Sequence, residues 1–252
     1  MRVFLHGFMG DPFVWNPFRT PESFAPALVG HDRLALPEDV ASFEDEVARL
    51  SRLIQANRTG PLHLIGYSLG ARVALGLAAA IPVDRLTLIS GRDGLTDATE
   101  RVQRVQQDEL WAARLDACVD EKTFTEVLTH WDAQPIFQTR TNAAHSPDPA
   151  RRLAHDPQRL AAALRALSLG RMPVVAPHVK CDRVNVIAGS RDEKFSALAE
   201  ALAAALNATL TIVPNKGHDL PREAPVELAR LLLNGEDDDE FACSHGSTRD
   251  RT

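Results

Sequence analysis

"LHLIGYSLGARVALGLAAA", Leu62 to Ala80, joins a short apolar run to an alanine-rich helical stretch through Gly66-Tyr67-Ser68-Leu69-Gly70. G-x-S-x-G is common by chance, but a strand before it and a helix after it is the context that lifts a serine out of a tight turn as a nucleophile elbow. The glycines allow the turn, and the helix N-terminus points its free amides at any negative charge developing beside Ser68. The alternative is a structural turn serine.

A serine hydroxyl needs a base, and the base needs a carboxylate to orient it. Downstream, "VNVIAGSRDEKF" places Asp192 in the loop after a strand, and "LTIVPNKGHDLPRE" places His218 after the next strand. Taken singly, Asp192 could be a helix cap and His218 a surface residue. Their shared position after strands, in the chain order Ser, Asp, His, argues for a triad. Glu193 and Asp219 compete for the carboxylate role, and His6 and His31 are rival bases that precede the serine.

The elbow also gives a purpose to "LHGFMGD" at Leu5 to Asp11. A His-Gly turn closing the first strand supplies a second oxyanion donor. The amides of Phe8 and Leu69 are the expected pair, with Gly7 allowing close approach.

Further out, β-rich runs at Arg2-Leu5, Phe24-Leu28, Leu62-Ile65, Arg85-Ile89, Arg183-Ala188 and Thr209-Val213 alternate with helical stretches. That rhythm predicts an α/β fold with a mostly parallel sheet flanked by helices. "SFEDEVARLSRLIQA" reads as a helix capped by Ser42, with Asp45 three residues on and Phe43, Val47, Leu50 and Ile54 on one face. "SALAEALAAALN" from Ser196 and "PVELARLLLNG" from Pro225 read as two more, the second stopped by Gly235. Between Arg92 and Lys180 helical sequence replaces the strands. The expected layout is a core of residues 1–91 and 181–235, a helical cap of residues 92–180, and a charged, disordered tail over 236–252.

Among 252 residues, 44% are hydrophobic and 25% charged, with a net charge of −6, so there is no basic footprint for nucleic acid. Cys118, Cys181 and Cys243 are far apart and lack C-x-x-C spacing, which suggests neither disulfides nor a zinc site. With no apolar leader and no membrane-length apolar run, the expected location is the cytoplasm.

Together with "GYSLGAR" and "LHGFMGD", the segments "ERVQRVQQDELWAARL", "HWDAQPIF", "GSRDEKF" and "KGHDLPRE" occur in the order and at the spacing of one family. The chain up to about Leu233 resembles the 2-succinyl-6-hydroxy-2,4-cyclohexadiene-1-carboxylate synthases of menaquinone biosynthesis, members of the α/β-hydrolase superfamily. Trp131, Gln134, Pro135 and Phe137 are the most discriminating residues, because elbow and triad are common to the superfamily.

The resemblance implies a lyase without metal or organic cofactor that eliminates pyruvate from 2-succinyl-5-enolpyruvyl-6-hydroxy-3-cyclohexene-1-carboxylate. It implies that Ser68, activated by His218 and Asp192, is a general base. For the anionic substrate it implies Arg72, Arg104 and, on a looser match through "DPARRLAHD", Arg152 or its neighbour Arg151, with His6, Tyr67 and Trp131 lining the site. No membrane span and no obligate protein partner are expected.

This chain departs from the family at Val29-Gly30-His31-Asp32, where Pro-Gly-His-Gly is usual, which predicts a less tight turn. It departs again at Ser90-Gly91-Arg92-Asp93-Gly94-Leu95, where small residues and proline are usual and where Arg92 and Asp93 are expected near the site mouth. A second reading is a carboxylesterase, thioesterase or carbon-carbon hydrolase working through an acyl-serine. A third, a catalytically silent binding protein, has no need of all three triad residues.

Overall fold

Strands β1 (Arg2–Leu5), β2 (His63–Tyr67), β3 (Arg85–Ile89), β4 (Val184–Gly189) and β5 (Thr209–Val213) pair in parallel, in chain order across one sheet. The computed structural model describes residues 1–31, 40–139 and 148–233. Side chains alternate between faces with period two. Val3, Leu5, Leu64, Leu86, Leu88, Val186 and Ala188 fall in one core. Phe4, Ile65, Tyr67, Ile89, Ile187 and Val213 fall in another, with Trp15 and Phe18. With apolar cores on both faces, the sheet needs helices on both sides.

The first core is covered by α1 (Phe43–Asn57), α2 (Leu69–Ala80) and α7 (Glu193–Leu206). The second takes α8 (Leu220–Glu223) and α9 (Pro225–Leu233). Helix α1 is as read from sequence: Ser42 Oγ accepts from the Asp45 amide at 3.1 Å, and Phe43, Val47, Leu50 and Ile54 are buried. Helix α7 begins three residues before Ser196, because Asp192 is its N-cap. Gly235 and the expected tail lie outside the described residues, as do Asp32 and Cys243.

Phe24-Leu28 is not a strand. Phe24 alone bridges β1, donating to Arg2 O at 2.8 Å and accepting from Phe4 N at 2.9 Å. Pro26 has no N–H to continue a ladder. The Leu28 amide turns away and donates to His6 Nε2 at 3.1 Å.

Between β3 and β4 lie α3 (Ala98–Asp116), α4 (Glu121–Asp132), α5 (Pro149–Leu153) and α6 (Pro157–Ala166). Each starts on an aspartate cap, Asp97, Asp120, Asp148 and Asp156, and two continue with proline at the first position. Asp-Pro is a start signal, since the carboxylate satisfies free amides and proline needs no acceptor there. These helices share a third apolar cluster, including Leu115, Phe124, Leu128 and Leu160, into which Met9 packs from the loop after β1. Among the described residues no helix is long and apolar enough to cross a membrane.

Candidate active site

Ser68 sits between β2 and α2 at φ 54° and ψ −110°, a conformation that is costly for a residue with a side chain. The elbow around it is held by contact. A Cβ on Gly66 would collide with Gly70 O and the Ala71 backbone, and one on Gly70 would collide with the carbonyls of Leu5 and His6. Helix and strand therefore approach closely enough to fix the serine.

His218 Nε2 lies 3.1 Å from Ser68 Oγ, and His218 Nδ1 lies 2.7 Å from Asp192 Oδ2. A carboxylate only accepts, so Nδ1 carries the proton and Nε2 is left to accept from the serine. Asp192 also caps α7, its Oδ1 accepting from Phe195 N at 3.2 Å. One carboxylate thus caps the helix and bonds the imidazole at the same time. The rival Asp219 is buried and pairs with Arg222 at 3.0 Å. Glu193 borders the cavity without joining the series.

Two framing residues escaped the sequence reading. Ser90 Oγ donates to His218 O at 2.8 Å, and buried Glu223 accepts from the amides of Gly217 at 2.8 Å and Asp219 at 3.1 Å. Together they fix the loop that carries His218. Phe195, 4.5 Å from the imidazole edge-on, Tyr67 at 5.6 Å and Phe137 at 6.1 Å surround that ring with apolar surface.

Ser68 and His218 open into a cavity of about 600 Å³ between the sheet edge and α3, α4 and α6. Phe8, Leu69, Arg72, Arg104 and Trp131, all expected at the site, border it. Leu69 is the first residue of α2, so its amide has no acceptor within the helix. Trp131 lies between Phe8, tilted at 5.1 Å, and Trp111, edge-to-face at 5.0 Å.

Arg72 donates to Leu167 O at 2.9 Å, and burial together with neighbouring Arg104 pushes its guanidinium down to about 9. It remains a cation at neutral pH, and an expensive one to bury. Arg104 pairs with Asp108 at 2.8 Å, whose other oxygen accepts from Ser168 Oγ at 2.7 Å. The i,i+4 spacing of Arg104 and Asp108 was the available signal for that pair.

His6 is placed elsewhere. Fully buried, it donates from Nδ1 to Gly7 O at 2.8 Å and accepts from Leu28 N at Nε2. His31 likewise donates to Val29 O at 2.9 Å and accepts from Met9 N at 3.0 Å. Both rings are wedges that shape the loop carrying Phe8, and burial holds both below the usual histidine range, His6 at about 4. The turn at Leu28 is closed by a 3.0 Å bond from His31 N, so the described part of that loop is tight.

Tyr67 and Arg152 border a small cleft that meets Ser68, Phe8 and Trp131 from another side. Arg152 pairs with Asp132 at 2.5 Å, and Arg151 with Asp11 at 2.7 Å. Asp93, expected at the mouth, turns its carboxylate onto the amides of Gly94, Val175 and Ala176 at 2.7, 2.9 and 3.0 Å. It is an anchor for backbone there, and Arg92 alone of the two borders the cavity.

A parallel sheet with a serine, a histidine and an aspartate hydrogen-bonded in series on the loops that follow its strands, under inserted helices, is the architecture of the α/β hydrolases. Residues 3–231 match the model of the Alpha/beta hydrolase family. The 2-succinyl-6-hydroxy-2,4-cyclohexadiene-1-carboxylate synthase of Salmonella paratyphi B is 34% identical over 91% of this chain and 92% of its own. That of Escherichia coli O1:K1 is 32% identical over the same shares. The solved structure of MenH from S. aureus superposes with a TM-score of 0.85 at 25% identity, covering 95% of this chain and 94% of that one. The chain belongs to the α/β-hydrolase family and, within it, to the group of 2-succinyl-6-hydroxy-2,4-cyclohexadiene-1-carboxylate synthases. A carboxylesterase from Nitrososphaera gargenis, at 19% identity and a TM-score of 0.72, shares the fold.

Proposed function

We propose that this protein eliminates pyruvate from 2-succinyl-5-enolpyruvyl-6-hydroxy-3-cyclohexene-1-carboxylate, yielding 2-succinyl-6-hydroxy-2,4-cyclohexadiene-1-carboxylate in menaquinone biosynthesis. The observation that carries this reading is that the Ser68-His218-Asp192 series and the guanidinium groups of Arg72 and Arg104 open into one cavity. A base and half-buried cations on one cavity together suit proton removal from a polyanion better than the cleavage of a neutral ester.

In this reading Ser68 Oγ passes its proton to His218 Nε2 and takes the ring proton beside the succinyl carbonyl. The electron pair of that C–H bond moves through the ring alkene and expels the enolpyruvyl oxygen. In between, charge gathers on the succinyl carbonyl oxygen, where the amides of Leu69 and Phe8 receive it. The proton held by the histidine returns to the departing enolate, which becomes pyruvate. Asp192 keeps the imidazole in the required tautomer and offsets its positive charge.

The reading includes residues 92–180 as a cap over the site, a cytoplasmic location, a small anionic substrate and no requirement for nucleic acid, a protein partner, a metal or a cofactor. The test is pyruvate release from freshly prepared substrate, corrected for spontaneous elimination. Ser68→Ala is expected to slow it about 10^3-fold or more. Release no faster than the blank by the wild type, with turnover of activated esters through an acyl-Ser68, would replace the lyase by a hydrolase.

A further inference from the structure

The proposed substrate carries three carboxylates, on the ring, the succinyl arm and the enolpyruvyl group. Arg72 and Arg104 border the cavity and account for two. Arg152, the expected third, is bound to Asp132 at 2.5 Å, and its other terminal nitrogen lies 3.5 Å from Met9 Sδ.

Of the other cations that border the cavity, Arg191 and Lys194 are exposed, and Arg92 is half-buried. Its Nε donates to Asp93 O at 3.2 Å, and among the described residues its guanidinium makes no ion pair. The acids near it are otherwise placed. The Asp93 carboxylate is taken by three backbone amides, and Glu100 is felt by Arg92 only at a distance.

We infer that Arg92 holds the third carboxylate, so that Arg72, Arg92 and Arg104 form a clamp that selects tricarboxylates over dicarboxylates. The electrostatics point the same way. Burial disfavours the charge on both Arg92 and Arg72, and the cations oppose one another, Arg104 acting on both and Arg92 on Arg72. Asp108 spends its two oxygens on Arg104 and Ser168 and favours the Arg72 charge only from a distance, as Glu100 does that of Arg92, so among the described residues neither guanidinium is directly paired. A bound anion removes that penalty, and each guanidinium offers a two-pronged fork to a carboxylate. Only the identity of the tricarboxylate rests on the lyase reading.

Calorimetric titration with propane-1,2,3-tricarboxylate and with pentanedioate, in phosphate-free buffer, separates the two questions. The wild type is expected to prefer the tricarboxylate by about tenfold or more, the scale of one charge-assisted contact. Arg92→Gln should bring that ratio close to one, and Arg92→Lys, which keeps charge but not the fork, should fall between. In pyruvate release, Arg92→Gln should raise KM by about ten- to hundredfold with kcat changed only a few-fold. Circular dichroism checks that each variant is folded.

A folded Arg92→Gln protein with the wild-type ratio, or a wild type that does not distinguish the two acids, overturns the clamp. So does a loss confined to kcat. A collapsed ratio in a protein that releases no pyruvate would keep the clamp and reject the lyase.

Discussion

Asp192 serves two partners with two oxygens, His218 Nδ1 at 2.7 Å and the Phe195 amide at 3.2 Å. Asp192→Asn can keep the helix cap through its remaining oxygen while presenting an NH2 group to the imidazole. The ring must then protonate on Nε2, where it can no longer accept from Ser68. We expect kcat to fall about 10^4-fold with little change in Tm. Asp192→Ala should lose the cap too, about 1 kcal/mol and roughly 2–4 °C in Tm. Equal activity loss with a large Tm drop in the asparagine variant would mean that the fold, not the tautomer, had failed.

Stability should fall with acid before most carboxylates titrate. His6 is neutral in the fold, its pKa lowered from 6.5 to about 4, first by burial. Above pH 6.5 neither state binds the proton and stability is unaffected. Below it the unfolded chain binds a proton that the fold refuses, so stability is lost as pH drops from 6.5 towards 4, by about 3 kcal/mol for this ring alone. His31, shifted in the same direction, adds to it. Urea midpoints between pH 7.5 and 5 check this. His6→Gln should lower stability at pH 7.5 and make the slope shallower by about one proton, and an unchanged slope would contradict the assignment.

Arg104→Ala should impair capture of the polyanion more than turnover of an uncharged activated ester. An increase in KM of about tenfold or more for the former, with at most a small change for the latter, is expected. Equal loss on both substrates would show that Arg104 acts by shaping the cavity through its ion pair with Asp108.

Gly70→Ala places a methyl group against the carbonyls of Leu5 and His6. Overpacking of this kind costs about 1–3 kcal/mol. Because the strand that must yield leads into the loop carrying Phe8, thermal melting and kcat should both decline. A variant with wild-type Tm would show that β1 can move aside.

The elbow and its three-residue series were legible because each signal is local: an apolar run, glycines at fixed offsets, an acid or histidine just past a strand. The same locality misled at Phe24-Leu28, where apolar content outweighed the missing donor of Pro26. What could not be read was contact across long separations. Ser90 meets His218 over 128 residues, and Arg152 finds Asp132 on a different helix. Nothing near Arg92 and Asp93 distinguishes the side chain that faces the cavity from the one that seizes backbone amides, since that choice is made by Val175 and Ala176, far along the chain.

The three tryptophans divide unequally between the site and the interior. Trp111 and Trp131 face the cavity edge-to-face, while Trp15 is wholly buried beneath the sheet beside Phe4. The molecule therefore contains its own optical gauge. Emission from the first pair should respond when a ligand displaces water beside it, while the buried indole supplies a steady internal reference. Occupancy of the site can thus be followed in the unlabelled protein, in real time and apart from turnover.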